Sequence, residues 1–228
     1  MTCPTVGVWY YKESCTDELK YSIRSAVKNL GITTVILIGD KPKWFQESEH
    51  AIFVPNTLTR NPSFTRAWVP WQQMEAFVNS GVYSGEFLLF NDDFFVLKPI
   101  KDWKDYHRDQ QNYDEKVKKS NRIYHQRELR ALYALHKDNG VHYNMHIPMK
   151  MDTEKVRETL AFWHGLLNKD IEFRTTYGNM HLDQTESMVD VKYSPNEYFF
   201  SGGDRWWRTS GDWIRDMFRE QTYVERHN

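Results

Sequence analysis

The chain has 228 residues, 40% hydrophobic and 27% charged, enough to close one domain around a sizeable core. A formal net charge of −1 excludes a molecule-wide basic field for nucleic acid, so any such contact has to be a local patch. No stretch approaches the ~18 apolar residues of a membrane span, the Met-Thr-Cys-Pro-Thr start is no leader, and Cys3 and Cys15 have neither disulfide nor metal spacing; the expectation is a soluble, cytoplasmic protein.

Val6-Gly-Val-Trp-Tyr-Tyr11 is β-rich and predicts a first strand, with Thr16-Asp-Glu after it as a helix N-cap and acidic first turn. Leu19, Ile23, Ala26, Val27 and Leu30 share one helical face, and Gly31 closes the helix. Residues 33–39 predict a second buried strand ending at Asp40, which makes a βαβ unit and therefore a parallel sheet with a right-handed crossover. A third short strand is expected at 51–54, a loop at 55–62, and a helix at 70–78 with Trp71, Met74, Phe77 and Val78 inward, stopped by Gly81.

In the stretch 86–100, apolar runs Phe87-Leu-Leu-Phe90 and Phe94-Phe-Val-Leu97 flank Asn91, Asp92 and Asp93. Buried carboxylates need a partner, and a divalent cation suits two adjacent ones. Successive strand side chains face opposite ways, so both can serve one centre only if the strand ends there, one on the metal and the other on a sugar or ribose hydroxyl. The alternative is a plain hairpin with Asn-Asp-Asp as its turn. Ligands of parallel sheets collect at the carboxyl ends of the strands, which would bring Tyr10, Lys12 and Asp40 beside Asp92 and Asp93.

Residues 101–121 are polar and poor in aliphatics and are expected to be an exposed excursion; 122–137 predict a helix. Lys116, Lys118, Lys119, Arg122, Arg127, Arg130 and Lys137 make a local basic surface that could meet phosphate, against the plain reading of a solvated helix face. His146 lies in His142-Tyr-Asn-Met-His146-Ile-Pro148, and Asp152 is the expected cap of a helix with Val156, Leu160, Trp163 and Leu167 on one face. Asp183 and Glu186 stand in a polar run, and 213–218 predict a last helix packing back on the domain.

The order of these pieces resembles the Stealth family of sugar-phosphate transferases. Asp17-Glu-Leu-Lys-Tyr-Ser-Ile-Arg-Ser25 is similar to its N-E-L-R-Y-S-L-R-S segment, Pro42-Lys-Trp44 to its P-x-W, and Phe87-Leu-Leu-Phe-Asn-Asp-Asp93 to its F-x-Y-x-N-D-D. His146-Ile-Pro148 resembles its H-x-P, Phe173-Arg174 its Arg segment, and Thr222-Tyr-Val-Glu225 its closing P-S-x-F-E. The family's first-strand V-Y-T-W-V-(D/N)-G is replaced here by Val8-Trp-Tyr-Tyr-Lys12.

The resemblance implies an α/β, glycosyltransferase-A-like domain over 1–228, its mostly parallel central sheet flanked by helices, with a nucleotide-binding half at 1–100 and a helical acceptor half at 101–228. It implies a nucleotide-sugar donor and Mn²⁺ or Mg²⁺, with Asp92 and Asp93 holding metal and donor diphosphate, His146 at the metal or catalytic centre, and Arg24 and Arg174 on phosphate. Asp40 and Arg122 complete the expected donor-binding set. Asp183 is the expected general base, with Glu186 and His146 as competitors. The acceptor is a hydroxyl of a glycan or of a hydroxymethylated base in viral DNA, which would place the protein in a host cytoplasm. Two rivals are a glycan-binding module stacking sugars on Trp206 and Trp207, and a phosphodiester hydrolase using Asp92, Asp93 and His146 around metal.

Overall fold

The computed structural model describes residues 3–12, 16–56, 68–137, 140–183 and 185–225. Cys15 and most of the expected 55–62 loop lie outside them. The first half contains β1 (Val6–Tyr11), α1 (Glu18–Leu30), β2 (Thr34–Gly39), β3 (Ala51–Pro55), α2 (Trp68–Ser80), β4 (Glu86–Asn91) and β5 (Phe94–Val96). The second contains β6 (Tyr106–Arg108), α3 (Gln110–Lys118), α4 (Ile123–Ala134), β7 (Met149–Asp152), α5 (Thr153–Gly165), α6 (Phe173–His181), β8 (Glu186–Met188), β9 (Phe199–Ser201), α7 (Asp204–Ser210) and α8 (Asp212–Met217).

The central sheet has the order β3-β2-β1-β4-β7, parallel throughout except for β7, which runs antiparallel on the β4 edge. Both faces are covered, so the strands are apolar on both sides. Val8, Ile36, Ile38, Phe87 and Leu89 point to one face, packed under α2, α5 and α6 through Trp71, Phe77, Val156, Trp163 and Phe173. Trp9, Val35, Leu37, Leu88 and Phe90 alternate to the other, where Leu19, Ile23, Ala26 and Leu30 of α1 cover them. A third cluster joins Phe95 and Phe200 of the β5-β9 ribbon to Trp207, Ile214 and Phe218. Among the described residues no helix is long and apolar enough to cross a membrane.

Strand order fixes where a ligand can sit. From β1 the chain steps outward to β2 and β3, then returns through α2 to lay β4 on the opposite side of β1. The order therefore reverses between β1 and β4, whose carboxyl ends lie side by side at the point where ligands of parallel sheets collect.

Several expectations need correction. The 101–121 stretch is not an exposed excursion: it forms β6 and α3 and buries Trp103, Tyr113 and Val117, its few apolar residues. Leu167 is fully exposed because α5 ends at Gly165, before the helical face reaches it. Thr16 does not cap α1; its hydroxyl bonds the Glu18 carboxylate at 3.0 Å, and Asp17 occupies the cap position without a side-chain cap bond. The helix expected from Pro70 starts at Trp68, since a proline in the first turn forfeits no intrahelical bond. Asp152 does cap α5, accepting from the Glu154 and Lys155 amides.

Candidate active site

The hairpin alternative at Asn91-Asp92-Asp93 does not hold. β4 ends at Asn91, and β5 pairs not with β4 but with β9, so the two aspartates form the corner where the chain leaves the central sheet. β1 pairs in register beside β4, Tyr10 opposite Asn91, and Tyr11 lies opposite Gly39 of β2. These strand ends open on a crevice of about 430 Å³, lined by Tyr10, Tyr11, Lys12, Pro70, Gln73, Asn91, Asp92, Asn144, Glu172 and Arg174. That volume suits a small-molecule ligand. Gly39, at φ +115°, allows the close approach: a Cβ there would sit 2.1 Å from the Tyr11 carbonyl oxygen.

Arg174 reaches the crevice floor from the first turn of α6, where Glu172 caps the helix by accepting from the Arg174 and Thr175 amides. Its guanidinium donates to the Ile147 carbonyl at 2.7 Å, the Met145 carbonyl at 3.3 Å, the Leu89 carbonyl and Asn91 Oδ1 at 3.4 Å, and lies over the Phe94 ring. Burial pushes its pKa down, and the carbonyls replace the water it has lost. Arg174 thus ties the end of β4 to the His146 segment and meets the crevice with what remains of its fork.

The corner carboxylates differ in environment. Asp93 is 9% exposed and accepts from Lys192 Nζ at 2.5 Å and Ser201 Oγ at 3.0 Å. Asp92 faces the crevice, and burial, then the charge of Asp93, pushes its carboxyl up to about 7. Glu18, opening α1, is 2% exposed; burial raises its carboxyl to about 8, against the Thr16 hydrogen bond and with the charges of Asp93 and Asp92 adding to the rise. Among the described residues its Oε1 has no hydrogen-bond partner.

Both protons are held to higher pH in the folded protein than in the unfolded chain, whose Asp and Glu release them near pH 4. Their stabilising contribution is complete below that value and is lost as pH rises through about 7 and about 8. Glu18→Gln keeps the shape and removes the titration, so its melting temperature is expected to fall less than the parent's between pH 6 and 9. Thermal melts across that range check this; parallel curves would refute it.

His146 also meets Phe94, the two rings edge-on at 6.2 Å between centroids. Asp190 grips it twice, through the His146 amide at 2.9 Å and ring Nδ1 at 2.7 Å, and also pairs with Arg108 at 2.9 Å. Burial alone would raise the Asp190 carboxyl, but the His146 hydrogen bond, with the charges of His146 and Arg108, brings it down to about 2. An ionised carboxylate at Nδ1 fixes the ring's tautomer and leaves Nε2 as the working atom, on a ring one-third exposed.

Of the residues expected from sequence, Asp92 and Arg174 line the crevice, Asp93 is on its corner, and His146 joins them through Phe94. Four are elsewhere. The Arg24 fork is taken up inside the fold by Glu225, at 2.8 and 2.6 Å, and by the Phe218 and Arg219 carbonyls. Asp40 is half-buried at the end of β2, where its amide bonds the Tyr11 carbonyl, and it does not line the crevice. Arg122 is exposed at the start of α4 and bonds the Tyr124 hydroxyl. Asp183 is exposed and lines separate clefts with His181 and Asn179, so it is not placed to serve as this centre's base; Glu186 is exposed and paired with Lys104. Glu18, Asp190, Lys192 and Ser201 are the site residues that sequence reasoning missed.

A divalent ion fits this donor set in one way. Among the described residues no three His, Cys, Asp or Glu side chains are placed to hold an ion alone. Asp92 and Asp93 suit Mg²⁺ or Mn²⁺ arriving on substrate phosphates, for which one or two carboxylates suffice. The basic surface is partly spent within the fold: Arg127 and Arg130 both pair with Asp170, Lys119 with Glu115, and Lys137 donates to the Asn179 carbonyl. The sequence matches no protein-family model, and comparison with curated proteins finds no significant match.

Proposed function

We propose that this chain is a transferase of glycosyltransferase-A-like fold that binds a nucleotide sugar across the β1-β4 switch point and passes the sugar, or sugar 1-phosphate, to an acceptor hydroxyl. The observation that carries the reading is the convergence of the β1 and β4 ends, with Asp92 and Asp93 at the corner, on a ligand-sized crevice at the point where strand order reverses. The order of segments resembling the Stealth transferases supports the same class, and the fold joins two of them: Arg24 from the first pairs with Glu225 from the last.

In this reading Tyr10 and Pro70 offer the base an apolar wall, and Gln73, Asn91 and Asn144 offer it amides. Asp92 and Asp93 would hold Mg²⁺ or Mn²⁺ on the donor diphosphate, where the ion supplies charge neutralisation of the leaving phosphate. His146, aligned by Asp190, takes the proton as the acceptor oxygen attacks, in the role Asp183 was expected to fill. Attack at the anomeric carbon breaks its bond to the phosphate and releases nucleoside diphosphate; attack at the β-phosphorus releases nucleoside monophosphate. With Arg127 and Arg130 held by Asp170 and Lys137 by the Asn179 carbonyl, a glycan hydroxyl is the acceptor the surface favours over a base in DNA.

The test is incubation with Mn²⁺, a panel of nucleotide sugars, and glycan or hydroxymethylated-DNA acceptors, with the released nucleotide identified by mass. Diphosphate or monophosphate names the bond broken; release of neither across the panel overturns the proposal. Asp190→Asn, which loses the charge that fixes the His146 tautomer, is expected to lower turnover about 10–100-fold with little change in donor affinity. A variant as fast as the parent would remove His146 from the base role.

A further inference from the structure

Lys192 is absent from the sequence expectations, yet it is the cation placed against the corner carboxylates. Its amine donates to Asp93 Oδ2 at 2.5 Å and to Ser201 Oγ at 3.3 Å, and the side chain is one-quarter exposed. An ammonium has three donors, so the two bonds leave one over. Ser201 Oγ itself donates to the same Asp93 oxygen at 3.0 Å, so Asp93 keeps a partner if the amine departs.

The surroundings keep the amine accessible and aimed. Gly203 presents no side chain to it: a Cβ there would lie 3.6 Å from Nζ and 3.1 Å from the Tyr193 hydroxyl. Tyr193 holds a left-handed backbone at φ +61°, a conformation that a non-glycine residue keeps where surrounding structure insists on it. The Tyr193 amide bonds the Ser201 carbonyl at 2.9 Å, and its ring stands 5.2 Å from the amine. Arg24 is occupied by Glu225, and Arg174 spends most of its fork on main-chain carbonyls. An anionic diphosphate approaching the Asp93 carboxylate meets repulsion unless a cation receives it, and Lys192 is already there.

We propose that Lys192 is a donor-phosphate residue, held on Asp93 and Ser201 until a nucleoside diphosphate arrives and then shared with the phosphate next to the transferred sugar. The assignment rests on the nucleotide-sugar reading above. Were Asp93 to hold a divalent ion, the amine would be free to serve the phosphate; otherwise it would bridge Asp93 and the phosphate.

The experiment is calorimetric titration of the full chain and its Lys192→Met variant with uridine, cytidine, guanosine and adenosine diphosphates and the corresponding nucleosides, once in EDTA and once with Mn²⁺. The diphosphate bound by the parent is expected to bind the variant at least tenfold more weakly in EDTA, with nucleoside affinity unchanged. Mn²⁺ should narrow the gap, because the vacated Asp93 can accept the ion; Lys192→Arg should retain most of the parent's affinity. Equal diphosphate affinities in both conditions overturn the proposal while leaving the transferase reading intact, and so does a parallel loss of nucleoside affinity, which marks a structural role. Failure of the parent to bind any diphosphate in either condition overturns the nucleotide reading and this assignment with it.

Discussion

Asp93→Asn is expected to lower nucleotide release from the sugar donor about a hundredfold to a thousandfold, the effect of removing one charged group that stabilises a developing charge. The substitution is nearly isosteric, and Ser201 Oγ still finds an acceptor in the new amide, so folding should survive. What is lost is the ionised oxygen that Lys192 holds and that an incoming ion would take. The loss should fall on turnover more than on donor affinity if the group acts chiefly as charge builds on the leaving phosphate. Steady-state release by the parent and variant, with thermal melts alongside to confirm equal folding, checks this. Undiminished release would remove Asp93 from the centre.

The second large effect is on stability. Glu225→Ala is expected to cost about 3–5 kcal/mol, the range for breaking a buried ion pair, and to lower the melting temperature by roughly 6–20 °C. Arg24 is 6% exposed and Glu225 3%, so neither charge can turn to water when its partner goes. The arginine would keep the Phe218 and Arg219 carbonyls and the Tyr21 ring, and the Thr222 amide and hydroxyl would lose their acceptor. Replacing both members by apolar residues, Arg24→Met with Glu225→Leu, should recover much of the loss, since the pair's own net contribution is small once both charges are gone. Melting of the two single variants and the double variant checks it; a double variant as unstable as the sum would contradict it.

The central architecture was legible because it rests on periodicity. Apolar runs along 6–11, 33–39 and 87–90, and the Leu19-Ile23-Ala26-Leu30 stripe, gave strands and helix to within a residue or two, and adjacency of the first two strands followed from the βαβ pattern. The corner aspartates were legible because carboxylates inside an apolar run need a reason. Arg24 misled because its fork matches carboxylate and phosphate equally well, and its partner lies 201 residues away. Asp183 misled because a polar neighbourhood in sequence carries no information about which cleft a side chain faces. Trp207, a candidate stacking surface, is instead buried, 5.5 Å from the Phe95 ring and bonded to Asp17. Glu18 was hidden by a bland alternative, an acid in a helix's first turn.

Asp190 and Lys192 did leave a trace, a charged-apolar-charged alternation around Val191, which is buried while its neighbours are not. That alternation serves two partners at once: the first carboxylate steadies His146 and the amine two residues on steadies Asp93. The stretch should therefore be as sensitive to a change of length as to a change of either charged side chain. A single inserted residue before Val191 would reverse the side to which one of the pair points, and so break the link between the imidazole and the strand-end corner without altering any of the residues that form them.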